Sequence, residues 1–113
     1  MFTAINGLLI SPINSVAVKS GTNVEIKCIT DNTASSINWE YFEPGADNHI
    51  IIYLDGYQME HLKAKITVIA QPAIGQSTLK LNSVTMNDAG TYRCMESTDS
   101  SNRIDIEINI YCE

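Results

Sequence analysis

The residues able to do chemistry in this chain are few: Cys28, Cys94 and Cys112, His49 and His61, and thirteen acidic side chains against seven basic ones. Catalysis needs a nucleophile beside a base, or several ligands at metal spacing, and neither pattern occurs. His49 and His61 stand too far apart to form a local motif and read as solvent-facing or packed side chains. There is no nucleophile elbow and no glycine-rich phosphate loop. The run Ser97-Thr98-Asp99-Ser100-Ser101-Asn102 offers calcium one carboxylate, Asp99, where an oxygen cage wants several. We therefore assign no catalytic residue, no metal and no cofactor; the chain reads as a binding protein and not an enzyme.

Charge narrows the partner. A formal net charge of −6 argues against nucleic acid, because a phosphate-binding surface needs clustered Lys and Arg. No apolar run approaches the roughly 20 residues that span a bilayer. The first ten residues lack a basic region, and their apolar run is short and broken, so the chain reads as a mature ectodomain piece. A membrane anchor in a longer protein is left open. At 113 residues and 44% apolar content, residues 1–113 are expected to form one domain.

The elements that must position these groups are short alternating segments split by turn signals, with no sustained 3.6-residue period. Residues 8–10 form an edge strand broken by Pro12 and continued over 15–19. Residues 23–30 put Val24, Ile26 and Cys28 inward. Residues 37–42 put Ile37, Trp39 and Tyr41 on one side and Asn38, Glu40 and Phe42 on the other. A Pro44-Gly45 turn leads to an isoleucine-rich strand over 49–54, ending at the hairpin signal Asp55-Gly56. Further strands are expected over 65–69 and 77–81, then 90–97. The last, 103–111, has the cleanest alternation, with Ile104, Ile106, Ile108 and Ile110 on one buried stripe.

Cys28, Trp39 and Cys94 follow one another 11 and then 55 positions apart, and Asp88-Ala89-Gly90-Thr91-Tyr92-Arg93-Cys94 leads into the last of them. This constellation resembles the immunoglobulin superfamily, with a cysteine on strand B, a tryptophan on strand C and an Asp-x-Gly-x-Tyr-x-Cys corner entering strand F. Room for additional C′ and C″ strands makes it most similar to the variable-type, or V-set, form. The resemblance implies an all-β sandwich of two antiparallel sheets with Greek-key connections. Trp39-x-Tyr41-x-x-Pro44-Gly45 before an isoleucine-rich C′ strand looks most like single V domains of adhesion receptors, of the myelin protein zero or coxsackie-adenovirus-receptor kind. Antigen-receptor domains fit less well, since Ser101-Asn102-Arg103-Ile104 lacks the glycine bulge that opens their strand G.

By that resemblance Cys28 and Cys94 form the inter-sheet disulfide and Trp39 packs on it. If they pair, closing so long a loop contributes roughly 4 kcal/mol, on a model-dependent entropy scale. Such a bond persists in an oxidising compartment, so the chain is expected outside the cell, secreted or at the surface. Tyr92 takes the tyrosine-corner role. Asp88 and Lys65 take the place of the family's Asp–Arg ion pair, with a lysine that cannot make the bidentate fork. Cys112 is left over, either as an unpaired thiol or as an interchain disulfide.

Function is expected on the outward face of strands G, F, C and C′. Alternation assigns to it Glu40 and Phe42, Arg93 and Met95, Asp105, Glu107 and Asn109, with Ile50 and Tyr53 from C′. Parity on C′ can slip at a bulge. Phe42 and Met95 beside a C′ isoleucine would make an apolar patch with a charged rim, and Arg93 would face an acid of the partner across the interface. The expected function is recognition or adhesion by binding a protein partner, with a homophilic dimer as one form. Two alternatives are a soluble innate-immune binder using loops 31–36 and 97–102 (Asp31, Asn32, Asp99, Asn102), and an auxiliary subunit tethered through Cys112. No Asn-x-Ser/Thr acceptor occurs among ten asparagines, so no glycan is expected to cover a face.

Overall fold

The computed structural model describes residues 9–12, 14–32, 35–45 and 48–112, and Leu8, Thr33, Ala34, Ala46 and Asp47 lie outside them. Ten strands follow in order: β1 (Leu9–Ile10), β2 (Ser15–Lys19), β3 (Val24–Thr30), β4 (Ile37–Phe42) and β5 (His49–Leu54). Then come β6 (Tyr57–Gln58), β7 (Ile66–Gln71), β8 (Gln76–Leu81), β9 (Gly90–Glu96) and β10 (Asp99–Tyr111). One sheet runs β1-β3-β8-β7 and the other β2-β10-β9-β4-β5-β6. The break at Pro12 moves the chain from one sheet to the other. β1 pairs antiparallel with β3, whereas β2 lies parallel to β10 with Val16 opposite Ile108. A proline between two short edge pieces removes no ladder bond, so the switch is cheap.

Alternation along each strand fills the space between the sheets. Val24, Ile26 and Cys28 from β3, Leu79 and Leu81 from β8, and Ile106, Ile108 and Ile110 from β10 are all buried. Cys28 and Cys94 are disulfide-bonded, with Cα atoms 6.6 Å apart. Trp39 has no exposed surface and belongs to the same core cluster. Its indole Nε1 donates to Ser77 Oγ at 2.8 Å, so the one polar atom of the largest core side chain is satisfied.

The corner before β9 is a tight 3₁₀ turn, Met86–Asp88. The Tyr92 hydroxyl donates back to Asp88 O at 2.7 Å, and the Tyr41 hydroxyl donates to Ala89 O at 2.6 Å. The two rings meet at 4.9 Å between centroids. Gly90 lies against Tyr41, at φ +147°, where a Cβ would lie 2.6 Å from Phe42 O and 2.8 Å from the Tyr41 ring. The Tyr41 phenol can therefore reach the corner only because residue 90 has no side chain.

Two strands differ from the sequence expectation by more than one residue. β7 is Ile66–Gln71 and so runs past residue 69, and β10 begins at Asp99 instead of 103. The second difference matters for function: residues 99–102 belong to a strand that leaves β9 by a turn at Ser97 and Thr98 and shifts register between Asp99 and Arg103. The expected loop 97–102 is thus mostly strand.

Candidate protein-binding face

Four neighbouring strands of the six-stranded sheet present three cross-strand rows outward. Side chains directly opposite one another share a face, so the pairing fixes the rows. The central row is Ile51, Glu40, Arg93 and Asp105. To one side lie His49, Phe42, Thr91 and Glu107, and to the other Asn38, Met95 and Arg103. Asn109 continues β10 toward β2, opposite Ala17.

The centre of this face is held within the chain. Arg93 donates from Nε to Asp105 Oδ1 at 2.6 Å and from a terminal nitrogen to Oδ2 at 3.1 Å. The same guanidinium lies over the Phe42 ring, 4.4 Å from its centroid. His49 stacks on Phe42 at 5.3 Å, and its Nε2 lies 3.1 Å from Glu40 Oε2. Hydrogen bonding to Asp105 raises the Arg93 pKa, and the reciprocal bond holds the Asp105 carboxyl below its ordinary 3.8.

This arrangement corrects two expectations. Phe42 is not the open centre of an apolar patch, because Arg93 lies over its ring and His49 stacks against it. Arg93 does not wait for a partner's carboxylate either; Asp105, two strand positions from Glu107, already fills its fork.

The assignments on β5 are corrected as well. Ile50 pairs with Tyr41 and Tyr53 pairs with Trp39, both on the inner side of β4, and the register shifts between Trp39 and Glu40. Opposite Glu40 stands Ile51, so Ile51 is the outward isoleucine. Ile52 is the extra residue of the bulge and is wholly buried, while Tyr53 packs against the core. Sequence reasoning read His49 only as a solvent-facing or packed side chain. Its stacking on Phe42 follows from the β4–β5 register, which the intervening turn sets.

The loop end is built differently from an open polar rim. Ser97 N donates to Ser36 O at 2.8 Å, Ser36 N to Ser97 Oγ at 3.0 Å, and Thr98 Oγ1 to Ser35 Oγ at 3.1 Å. Asp99 Oδ1 accepts from Ser101 N at 3.1 Å and Ser101 Oγ at 2.5 Å. Asn32 N donates to Thr30 Oγ1 at 3.0 Å, Asp31 is exposed, and Asn102 is half-buried on β10. Hydroxyls of this loop end thus bond within the chain, Thr98 Oγ1 to Ser35 Oγ and Ser101 Oγ to Asp99.

Beneath this end lies a carboxylate that the sequence reading passed over. Glu96 is only 2% exposed and accepts a hydrogen bond from Thr30 Oγ1. Its parity with Tyr92 and Cys94 on β9 was the available signal. At the opposite end Lys65 Nζ meets Asp88 Oδ2 at 3.0 Å and also donates to Ser83 O at 2.8 Å. Asp88 Oδ2 accepts from Thr85 N as well, at 2.8 Å. Cys112 is an exposed free thiol. Among the described residues no helix is long and apolar enough to cross a membrane.

The comparisons agree with this architecture. The model of the immunoglobulin V-set domain matches residues 11–109. Leucine-rich repeat-containing protein 4B of Mus musculus is 25% identical over 101 residues, covering 89% of this chain and 12% of that protein. The polymeric immunoglobulin receptor of Mus musculus is 28% identical over 95 residues, covering 80% of this chain and 12% of that protein. This chain therefore spans about an eighth of either relative, as the 12% coverage states. The first Ig domain of the mouse polymeric immunoglobulin receptor superposes with a TM-score of 0.71 at 19% identity. That match covers 93% of this chain and 95% of the solved one, and it speaks to the fold.

Proposed function

The chain belongs to the immunoglobulin V-set family, and on that premise we propose that residues 1–113 act as one extracellular recognition domain. It binds a protein partner through the outward face of β10, β9, β4 and β5. The buried disulfide supports a setting outside the cell, at its surface or secreted.

One observation carries the reading: the three outward rows form a continuous four-strand surface whose central side chains are already locked by Asp105, Arg93, Phe42, His49 and Glu40. A surface with fixed rotamers loses little entropy when a partner arrives. Met95 and Ile51 are half-buried apolar groups beside this lattice, and Glu107 and Asn109 form an exposed polar margin. Below Phe42 a groove of about 430 Å3, lined in part by Pro44, Gly90 and Glu107, offers room for a projecting side chain. Apolar groups beside a fixed charged lattice can supply affinity while the lattice sets register.

The test displays the domain as a tetramer against arrayed extracellular proteins, itself included. Met95→Glu and Ile51→Glu are expected to abolish capture, while Thr67→Glu on the other sheet leaves it unchanged. Capture that survives both face variants but disappears with Asp31→Lys would overturn the proposal in favour of recognition at the loop end.

A further inference from the structure

Sheet edges carry unpaired backbone groups, and this domain blunts most of its edges. β1 is two residues long. β2 ends on Lys19 and turns Ser15 and Ala17 outward. β7 is closed by a side chain: Gln58 Nε2 donates to Ile66 O at 2.5 Å, and Gln58 Oε1 accepts from Val68 N at 3.1 Å. β6 covers β5 only at Tyr53 and Leu54, followed by one bond from Met59 N to Ile52 O at 2.9 Å. Among the described residues, the outer side of His49, Ile50 and Ile51 has no strand beside it. The bulge at Ile52 resets the alternation of the ladder: Ile50, opposite Tyr41, turns its N–H and C=O toward β4, and His49 and Ile51 turn theirs outward.

The open segment is also apolar. Ile50 is 46% exposed. Beside it lies a pocket of about 170 Å3 that Ile50 itself lines with Tyr41, Ile52, Leu62, Ile66 and Tyr92, and that Lys65, Asn87 and Asp88 complete. A free main-chain edge beside an apolar pocket is the arrangement used for strand addition, in which the backbone supplies affinity and the pocket takes alternate side chains.

We propose that two copies of this chain join edge to edge, antiparallel about Ile50, so that their six-stranded sheets become continuous. The occupant is a second copy because the segment complements itself. In this register Ile50 faces the partner's Ile50 as a non-hydrogen-bonded pair, and His49 and the partner's Ile51 exchange both backbone bonds, so no like charges meet. The two Ile50 side chains share one face and close the mouths of both pockets. No acidic or basic residue follows His49 before Asp55, so a charged foreign peptide would find no complement there, although the rest of the chain is strongly acidic. The ladder is short because the partner's chain leaves its strand at Asn48, just where Met59 occupies the Ile52 carbonyl. Association is accordingly weak, with fast exchange, and strengthens with salt as the net −6 of each copy is screened.

The experiment is sedimentation velocity on the Cys112→Ser chain over a concentration series at low and high salt. The expected result is a monomer–dimer equilibrium that Ile50→Lys abolishes without lowering the melting temperature. Ile50→Cys in the same background is expected to cross-link on mild oxidation, because non-hydrogen-bonded antiparallel pairs place Cα atoms about 4.5 Å apart, within disulfide reach. Ile69→Cys, exposed on the other sheet, is expected not to. A chain that stays monomeric at millimolar concentration overturns the inference. So does a dimer that tolerates Ile50→Lys but is lost with Met95→Glu, which would place the contact on the outward face. Cross-linking of Ile50→Cys remains informative even where the lysine variant fails to fold.

Discussion

The guanidinium of Arg93 lies 4.4 Å above the Phe42 ring, and Asp105 grips the same group through two nitrogens. Arg93→Ala removes a partly exposed cation–π contact and a half-exposed ion pair, each worth up to about 1 kcal/mol. The expected loss in unfolding free energy is about 1–2 kcal/mol by chemical denaturation. Asp105→Ala should cost less by itself, and the double variant little more than Arg93→Ala, since both deletions break one unit. Additive losses would show that Arg93 and Asp105 are not energetically coupled. The same pair acts on acid stability: a carboxyl whose folded pKa is depressed stabilises above its unfolded value, and that contribution is lost as pH falls through the folded value. Arg93→Ala should therefore flatten the decline below about pH 4.

Burial raises the Tyr92 hydroxyl far above its ordinary 10.0, with Tyr41 and Asp88 adding to the shift. A group that stays neutral in the fold but ionises in the unfolded chain stabilises fully below its unfolded pKa and loses that contribution as pH rises beyond it. Of the five tyrosines, Tyr92 should resist titration at 295 nm until the protein unfolds in alkali. Tyr92→Phe should keep the core and reduce the steepness of alkaline unfolding. A phenol at this position that titrates reversibly in the folded state would contradict the corner described above.

Gly90 and Gly21 separate two causes of glycine dependence. Both have positive φ, +147° and +95°, but a Cβ at Gly90 would strike Phe42 O and the Tyr41 ring, while at Gly21 it meets nothing within 4 Å. Gly21→Ala should cost about 1 kcal/mol through backbone strain. Gly90→Ala should cost about 2–4 kcal/mol, since it must also displace the corner. Equal costs in thermal melts would mean that the close approach at Gly90 is relieved by movement.

The inward sets of β3, β9 and β10 were readable residue by residue, because which side of a strand a residue faces is a local, period-two property. Ile106, Ile108 and Ile110 are buried where alternation put them. The Cys–Trp–Cys order pointed to a V-set sandwich, and the disulfide joins Cys28 to Cys94. β5 was less legible. Alternation is only as good as the register beneath it, and one extra residue at Ile52 put Ile51 on the outward face, opposite Glu40, and Ile50 and Tyr53 opposite Tyr41 and Trp39. Nothing in His49-Ile50-Ile51-Ile52-Tyr53-Leu54 marks that bulge, since four of the six residues are aliphatic and suit either side.

By itself the sequence determined most of the strands, their inward faces and the acidic charge of this protein, because those follow from composition and from each residue's own position along its strand, while the Cys28–Cys94 pairing was implied by the family resemblance. Only the tertiary structure decided that Arg93 takes Asp105 and not a partner's acid, that Phe42 lies under Arg93 and against His49, and that Glu96 is buried against Thr30, 66 positions earlier in the chain. Those pairings depend on the offset between strands, which turns and bulges set. An error of one residue in that offset exchanges a free side chain for a bonded one.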